Sequence, residues 1–451
     1  MAGHESDEVM NGTPPIYVSV DIPAKSKSSR RRVLHRVPPQ LRENKKHIYD
    51  PVVLSLGPYH HGRVPQFRVA EQLKEEARTI VCGSMDKGFL LGKISERVDE
   101  IQHFYGGADE YGDEELGEMM LRDACFVLCY IQMVELEGPN SDQNFDSIIV
   151  RRLGMSGALF VWRDFFMLEN QIPLWLLKLL FSLTYNGEDD DEKFQTLLCN
   201  YLSDNNFGDY RMTRLPWEGA GEEEEEPLHL LEANNRTSLV QEDSSSFEYC
   251  MMGKGSRSSF ESANSLFRSV RDLKAKGIHL GPSSYCLKDI RFYSLSFYGK
   301  LQLPIFLVTN NSSVYFSNVI AFEMSPETPT EFETTSYVNF MKTLIQKAED
   351  ARELREKGIL YSLLESDEDV VRTFQGIDTY GFCNQDLFYD VKMRIDKHCN
   401  NKGKTWMAEL LHTYFRSPWT AIALFAAIFI MCLTFLQTYY TIDPANRAHS
   451  F

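Results

Sequence analysis

Two histidines stand side by side in Gly57-Pro-Tyr-His-His-Gly62, and no other pair in the chain is so well placed for metal or acid–base chemistry. A metal ion needs ligands that converge, whereas adjacent residues of an extended chain point to opposite sides. No HExxH pattern and no third ligand at suitable spacing accompany His60 and His61, so a structural loop is expected there. A second polar group interrupts the apolar run from Phe160 to Leu180: Asp164, then Glu169, Asn170 and Gln171. Polar side chains in such a run must find hydrogen-bond partners if buried. Two carboxylates could share acid–base work, but a five-residue spacing separates them around a helix. The expected role is a buried network that fixes the bend at Pro173. The alternative is an enzyme with an unrecognised polar site around Asp164 and Glu169, or His60. No catalytic, cofactor or metal-binding residue is assigned.

The remaining templates fail for stated reasons. Gly253-Lys-Gly-Ser256 lacks the GxxxxGK[ST] spacing and a preceding strand, and no GxSxG elbow occurs. Cys125 and Cys129 lie one turn apart on an apolar helix face, where core packing is expected rather than redox or zinc chemistry. His398-Cys399 near Cys383 is a fragment of a zinc pattern with too few partners.

The elements that would position these residues are mostly helical. Apolar spacing predicts helices over 69–80, 89–104 and 116–137, the last carrying Leu121, Cys125, Leu128, Cys129 and Met133 on one face. A helix over 160–183, interrupted at Pro173, is expected to form the central pair of the core with it. Residues 203–265 read as a polar, partly disordered insertion around one amphipathic turn, Leu228 to Leu231. A short helix over 266–276 ends at Gly277. Short β runs with turn signals at Gly299-Lys300 and Asn310-Asn311 fill 278–323, including Val314, Phe316, Val319 and Ala321. Helices over 337–357, 367–374, 387–397 and 404–415 follow. The expected fold is α+β and helix-dominated, a large helical domain with a small β element and one C-terminal transmembrane helix.

That last helix is the plainest signal in the chain. Trp419 to Leu436 carries no charge, and 419–440 would make a helix of about 33 Å, enough for a hydrocarbon core of about 30 Å. Trp419 marks one end, and Tyr439 and Tyr440 the other, as interfacial aromatic belts do. Phe425, Phe429 and Phe435 supply apolar bulk between them. The organisation read from the chain is a flexible tail (1–32), a main domain (33–415), the span (419–440) and a short tail (441–451). The net charge of −17 argues against a nucleic-acid partner. Nine scattered cysteines without a CxxC, and no apolar leader, predict a tail-anchored protein whose bulk is cytosolic, with an extracellular body as the alternative. Asn235 and Asn311 stand in glycosylation sequons that would matter only in that alternative. Expected partners are the membrane and unidentified proteins.

Several of these stretches, in order, resemble a plant-specific family known as domain of unknown function 247 (the UPF0481-like membrane proteins). Val33-Leu-His-Arg-Val-Pro38 is similar to its opening, and Tyr49-Asp-Pro-Val-Val-Leu-Ser-Leu-Gly-Pro-Tyr-His-His-Gly62 to its most recognisable motif. Glu71 and Lys74 match its ExxK helix, and Met120–Phe126 its next segment. Asp164-Phe-Phe-Met-Leu-Glu-Asn-Gln-Ile-Pro173 resembles the DxxLLENQxP core. Leu228–Leu231, Gly277-Ile278, Leu303-Pro304, Asn318–Glu323 and Tyr414–Trp419 complete the series. Ala124 departs from a common Gly, and 291–298 is extra length. The resemblance covers about 33–440. It implies a plant protein, membrane association and no assigned enzyme activity. Relatives of this type in grasses are implicated in pollen–stigma self-incompatibility. A non-enzymatic recognition, signalling or adaptor role at a membrane, the plasma membrane in the first instance, is therefore expected.

Overall fold

The computed structural model describes residues 32–43, 45–62, 67–83, 85–106, 110–135, 145–185, 189–205, 212, 214–218, 225–240, 268–295, 298–326, 328, 330–384, 386–401 and 418–442. The expected N-terminal tail apart from Arg32, the C-terminal tail apart from 441–442, the pre-span helix over 404–415 and the Gly253–Ser256 loop lie outside these residues. Among the described residues the chain is helix-dominated with two small sheets. The core helix, Asp113–Glu135, carries three acidic residues in its first turn, where they complement the positive end of the helix dipole. Leu116, Leu121, Cys125 and Leu128 on it are fully buried.

Its principal neighbour is not the one expected. Asp113–Glu135 packs most extensively against Arg68–Cys82, and then against Lys87–Ser95, Leu174–Thr184 and Asp190–Asn205. No single helix runs over 160–183. The helix Phe145–Phe165 stops, an irregular segment follows, and Leu174–Thr184 begins with Pro173 as its N-cap residue. Pro173 thus starts a helix rather than bending one, a position proline tolerates because its missing N–H is not needed there. The stop has a local cause. Asn170 Nδ2 donates to Asp164 O at 2.8 Å, and Gln171 Nε2 donates to Phe165 O and Met167 O at 2.7 Å each. Side chains take the carbonyls that a continuing helix would have used.

The β region is smaller than the sequence pattern implies. Strands β1 (Ile278–Pro282), β2 (Arg291–Ser294) and β3 (Gly299–Leu303) form one sheet in the order β1-β3-β2, with β1 parallel and β2 antiparallel to β3. β4 (Phe306–Val308) and β5 (Leu360–Ser362) form a separate parallel pair. Gly299 therefore opens a strand, and Leu295 N donates to Tyr298 O just before it. Residues 312–323, read as β, are a helix, Ser312–Glu323. All but Ser313 are buried, so the apolar residues recur on every side, and the segment loses the one-faced period that marks a helix. Residues 337–357 form two helices, Glu333–Leu344 and Ala348–Glu356. Asp350 stands at the break, buried, and accepts from the N–H groups of Lys347 (2.9 Å), Gln346 (3.2 Å) and Arg271 (3.0 Å).

The stretch 203–265 is not uniformly an insertion. Met212, Leu215 and Trp217 are buried, and Leu230–Ser238 is a helix of the core. Asn235 on it is 1% exposed and accepts from Thr334 Oγ1 at 2.7 Å, so the folded chain cannot carry a glycan there. Among the described residues no disulfide joins any two cysteines, and Cys125 and Cys129 are buried in the core. The helix Pro418–Ile442 is apolar and long enough over Ile422–Tyr439 to cross a membrane, and none of that window is buried. Trp419, Phe425, Phe429, Phe435 and Tyr439 are exposed on it, and Tyr440 lies in its last turn.

Removing Asp350 leaves three backbone N–H groups at two element junctions without their acceptor. Asp350→Ala is expected to destabilise the fold by about 2–4 kcal/mol and Asp350→Asn by clearly less, as read from urea unfolding midpoints.

Candidate functional site

Three of the polar residues singled out by sequence, Asp164, Asn170 and (through His60) Glu169, converge on one object, the irregular segment from Val52 to His60. Seven of these nine residues, all but Val52 and Val53, are buried, and without partners their backbone groups would be stranded in apolar surroundings. Side chains from distant elements supply those partners one by one. Asp164 Oδ2 accepts from the N–H groups of Val52, Val53 and Leu54 at 3.0, 2.7 and 2.9 Å. Asn170 accepts from Leu56 N at 2.6 Å and donates to Leu54 O at 3.0 Å. Asp123 accepts from Gly57 N at 2.8 Å, and Lys74 donates to Ser55 O at 2.6 Å. Gly57 has φ +69, and a Cβ there would sit 2.6 Å from the Tyr105 hydroxyl, so only glycine fits.

The charges balance locally. Lys74, 0% exposed, places its ammonium 2.7 Å from Asp123 and 2.6 Å from Glu71, which with Ser55 O uses all three of its protons. Burial raises the Asp123 carboxyl above its ordinary value, and the Lys74 ammonium works against that. Burial pushes Asp164 up to about 6 in spite of its backbone donors. Glu169 runs the other way. Burial would raise it, but His60 and Arg42 outweigh burial and hold it below the usual carboxylate range. Arg42 Nη2 lies 2.5 Å and His60 Nε2 3.2 Å from Glu169 Oε2, while Oε1 accepts from Val37 N at 2.7 Å.

The two histidines separate, as adjacent residues do: His60 turns inward to Glu169, and half-buried His61 lies edge-on to Tyr111 at 6.0 Å. Asp164 and Glu169 serve different stretches of backbone and share no partner among the described bonds. Gln171 Oε1 reaches the opposite way and accepts from Leu231 N at 3.0 Å. Among the described residues no cluster of three His, Cys, Asp or Glu could hold a metal ion. An open cavity of about 350 Å³ is lined by Tyr130, Ile149, Met155, Ala158, Leu159 and Trp162, none of them from this network.

Sequence reasoning missed three members of the network as such. Lys74 and Asp123 are charges spaced among apolar helix positions. Asn318 sits in an apolar run, accepts from Leu168 N at 2.9 Å and donates to Ile48 O at 2.9 Å. The signal that drew attention to Asp164, a polar residue within an apolar run, was present at Asn318 too. A fourth feature is His229, buried, whose Nδ1 accepts from Glu232 N at 3.2 Å and caps the helix Leu230–Ser238. Burial pushes it down to about 4, which keeps the ring neutral and able to accept.

Residues 34–433 match the family DUF247, described as "Plant protein of unknown function". The chain belongs to this family. A UPF0481 protein of Arabidopsis thaliana is 25% identical over 433 residues, which cover 90% of this chain and 85% of that relative. A second UPF0481 protein of the same plant is 26% identical over 173 residues, covering 38% of this chain and 32% of the relative. No solved structure matches the chain. The motifs by which the chain resembles DUF247 thus include Asp164, Asn170, Asp123 and Lys74, the residues that hold the buried segment.

Two outcomes check the network. Lys74→Met leaves the Asp123 charge buried and unpaired, at a cost of about 3–5 kcal/mol; the double variant Lys74→Met, Asp123→Leu should recover part of it in a double-mutant cycle. The pH dependence has a defined sign. Asp164, raised in the fold, binds a proton more readily than in the unfolded chain, so its contribution declines as pH rises from about 4 to about 6. His229, depressed, contributes stability present above about 6.5 and lost as pH falls toward 4. Relative to the parent chain, Asp164→Asn should therefore gain stability as pH rises through this window and His229→Asn should lose it. Parallel profiles for the two variants would contradict the assignment.

Proposed function

We propose that this DUF247 protein is a non-enzymatic recognition or adaptor protein, its folded body held at a membrane by the helix Pro418–Ile442. One observation carries the reading: a helix long and apolar enough to cross a bilayer stands fully exposed, with Trp419 and Tyr439 near its two ends. Lys402, Lys404 and Arg416 precede it closely and Arg447 follows it, a bias that favours a cytosolic body. Cysteines without a disulfide among the described residues fit a reducing compartment. The plasma membrane is the location this reading assigns, and self-incompatibility-type recognition is the kind of role it accommodates. The non-enzymatic part is supported by the employment of Asp164, Glu169, Asn170 and His60, which hold backbone groups and each other.

The full chain expressed in plant cells should stay in the pellet after alkaline carbonate extraction and be digested by protease added from the cytosolic side. A chain lacking 418–451 should move to the soluble fraction. Extraction of the full chain would remove the anchor from the proposal. Protection from protease together with a glycan at Asn311 would reverse the orientation.

A further inference from the structure

The sheet β1-β3-β2 has one covered face and one bare face. Its register places Leu280, Leu301 and Phe292 in a row that is buried, with Phe292 edge-on to His398 of the helix Tyr389–Cys399 at 5.7 Å. The alternate row, His279, Lys300 and Tyr293, is exposed, and Gln302 and Arg291 follow it half-exposed on the same side. Tyr298, 43% exposed at the β2–β3 turn, lies edge-on to His279 at 5.3 Å. We propose that this bare face rests on the anionic headgroups of the bilayer that holds the helix Pro418–Ile442. The proposal rests on the anchored reading above and adds the side of the body that meets the lipid.

Two observations point to lipid as the occupant. The first is the position of the last described residues before the span. His398 Nδ1 lies 2.8 Å from Ser294 Oγ, the last residue of β2, which places Asn401, three residues on, near this corner of the sheet. Residues 402–417 alone separate that corner from the apolar helix. Even fully extended they reach about 55 Å, so the corner is tethered to the bilayer and meets it at a high effective concentration.

The second is charge. The whole chain carries −17, yet the bare face presents Lys300 with no carboxylate paired to it among the described residues. The neighbouring acids are engaged: Asp289 with Arg291 at 2.5 Å, Asp396 with Arg268 at 3.4 Å and Asp390 with Arg394 at 3.2 Å. Exposed Lys397 stands in the helix Tyr389–Cys399, and Lys402 and Lys404 lie further along the sequence, between this helix and the span. An unpaired cation on the bare face of an acidic chain matches an anionic surface and adds to membrane affinity. Tyr293 and Tyr298 present amphipathic rings of the kind that settle among headgroups.

The test uses the full chain inserted into vesicles of phosphatidylcholine, with or without phosphatidylserine, and a photoreactive benzoylphenylalanine at Tyr298 or Tyr293. A probe at Phe89, an exposed residue outside this sheet, serves as reference. Lipid adducts are expected at both tyrosines, far above Phe89 and stronger with phosphatidylserine. Lys300→Gln should reduce them roughly fivefold, and high salt should lower them too. Alkaline carbonate extraction is run on each sample. A chain that resists extraction but yields no lipid adduct at 298 or 293, or that cross-links there to a second copy, overturns the lipid-facing sheet and leaves the anchor standing. A chain that is extracted overturns both.

Discussion

The structure depends on a single constraint: irregular backbone buried in an apolar core must have each of its polar groups met by something other than secondary structure. The segment 52–60 runs through the interior without helix or strand, and the molecule is arranged so that Asp164, Asn170, Asp123 and Lys74 arrive at its amide groups. These side chains come from helix ends and faces far apart in sequence. Each is thereby fixed, and so is the element that carries it. The break after Phe165 follows from the same demand, because Asn170 and Gln171 can bond to carbonyls only if the helix has released them.

Much of this was legible in the chain, and the limits have physical causes. Helices with one apolar face, such as Arg68–Cys82 and Asp113–Glu135, were evident because burial on one side leaves a period. Ser312–Glu323 was misread because burial on all sides erases that period and its valines and aromatics favour strands locally. The division at Ile345–Lys347 was hidden because it depends on Asp350, a residue of the following helix. At the site, the polar residues in the apolar run around Asp164 were recognised as needing partners. Which partners they found could not be read, since those partners are backbone groups, and a backbone group looks alike at every position of a sequence. Buried Asn235 shows the same limit: its sequon is a surface motif by sequence and a core contact by structure.

The membership in DUF247 gains a physical meaning from this. Motifs of the chain that resemble the family, from the Tyr49–Gly62 stretch to the Asp164–Pro173 core, are two halves of one assembly, a backbone and its receptors. Such motifs describe how the body holds together. The exposed sheet face with Lys300 and Tyr293 and the exposed apolar helix lie outside that assembly.

Asn318 brings a temporal consequence. Its side chain joins Ile48 O, near the start of the fold, to Leu168 N, in the irregular segment between two helices. During synthesis, residues 48 and 168 emerge long before it. The first half of the body therefore leaves the ribosome with part of its interior backbone unsatisfied, and no early portion can close as an independent domain. Completion therefore follows the emergence of residue 318, and Thr334, Asp350 and His398 bring still later partners to Asn235, Arg271 and Ser294, all ahead of the apolar helix in the chain.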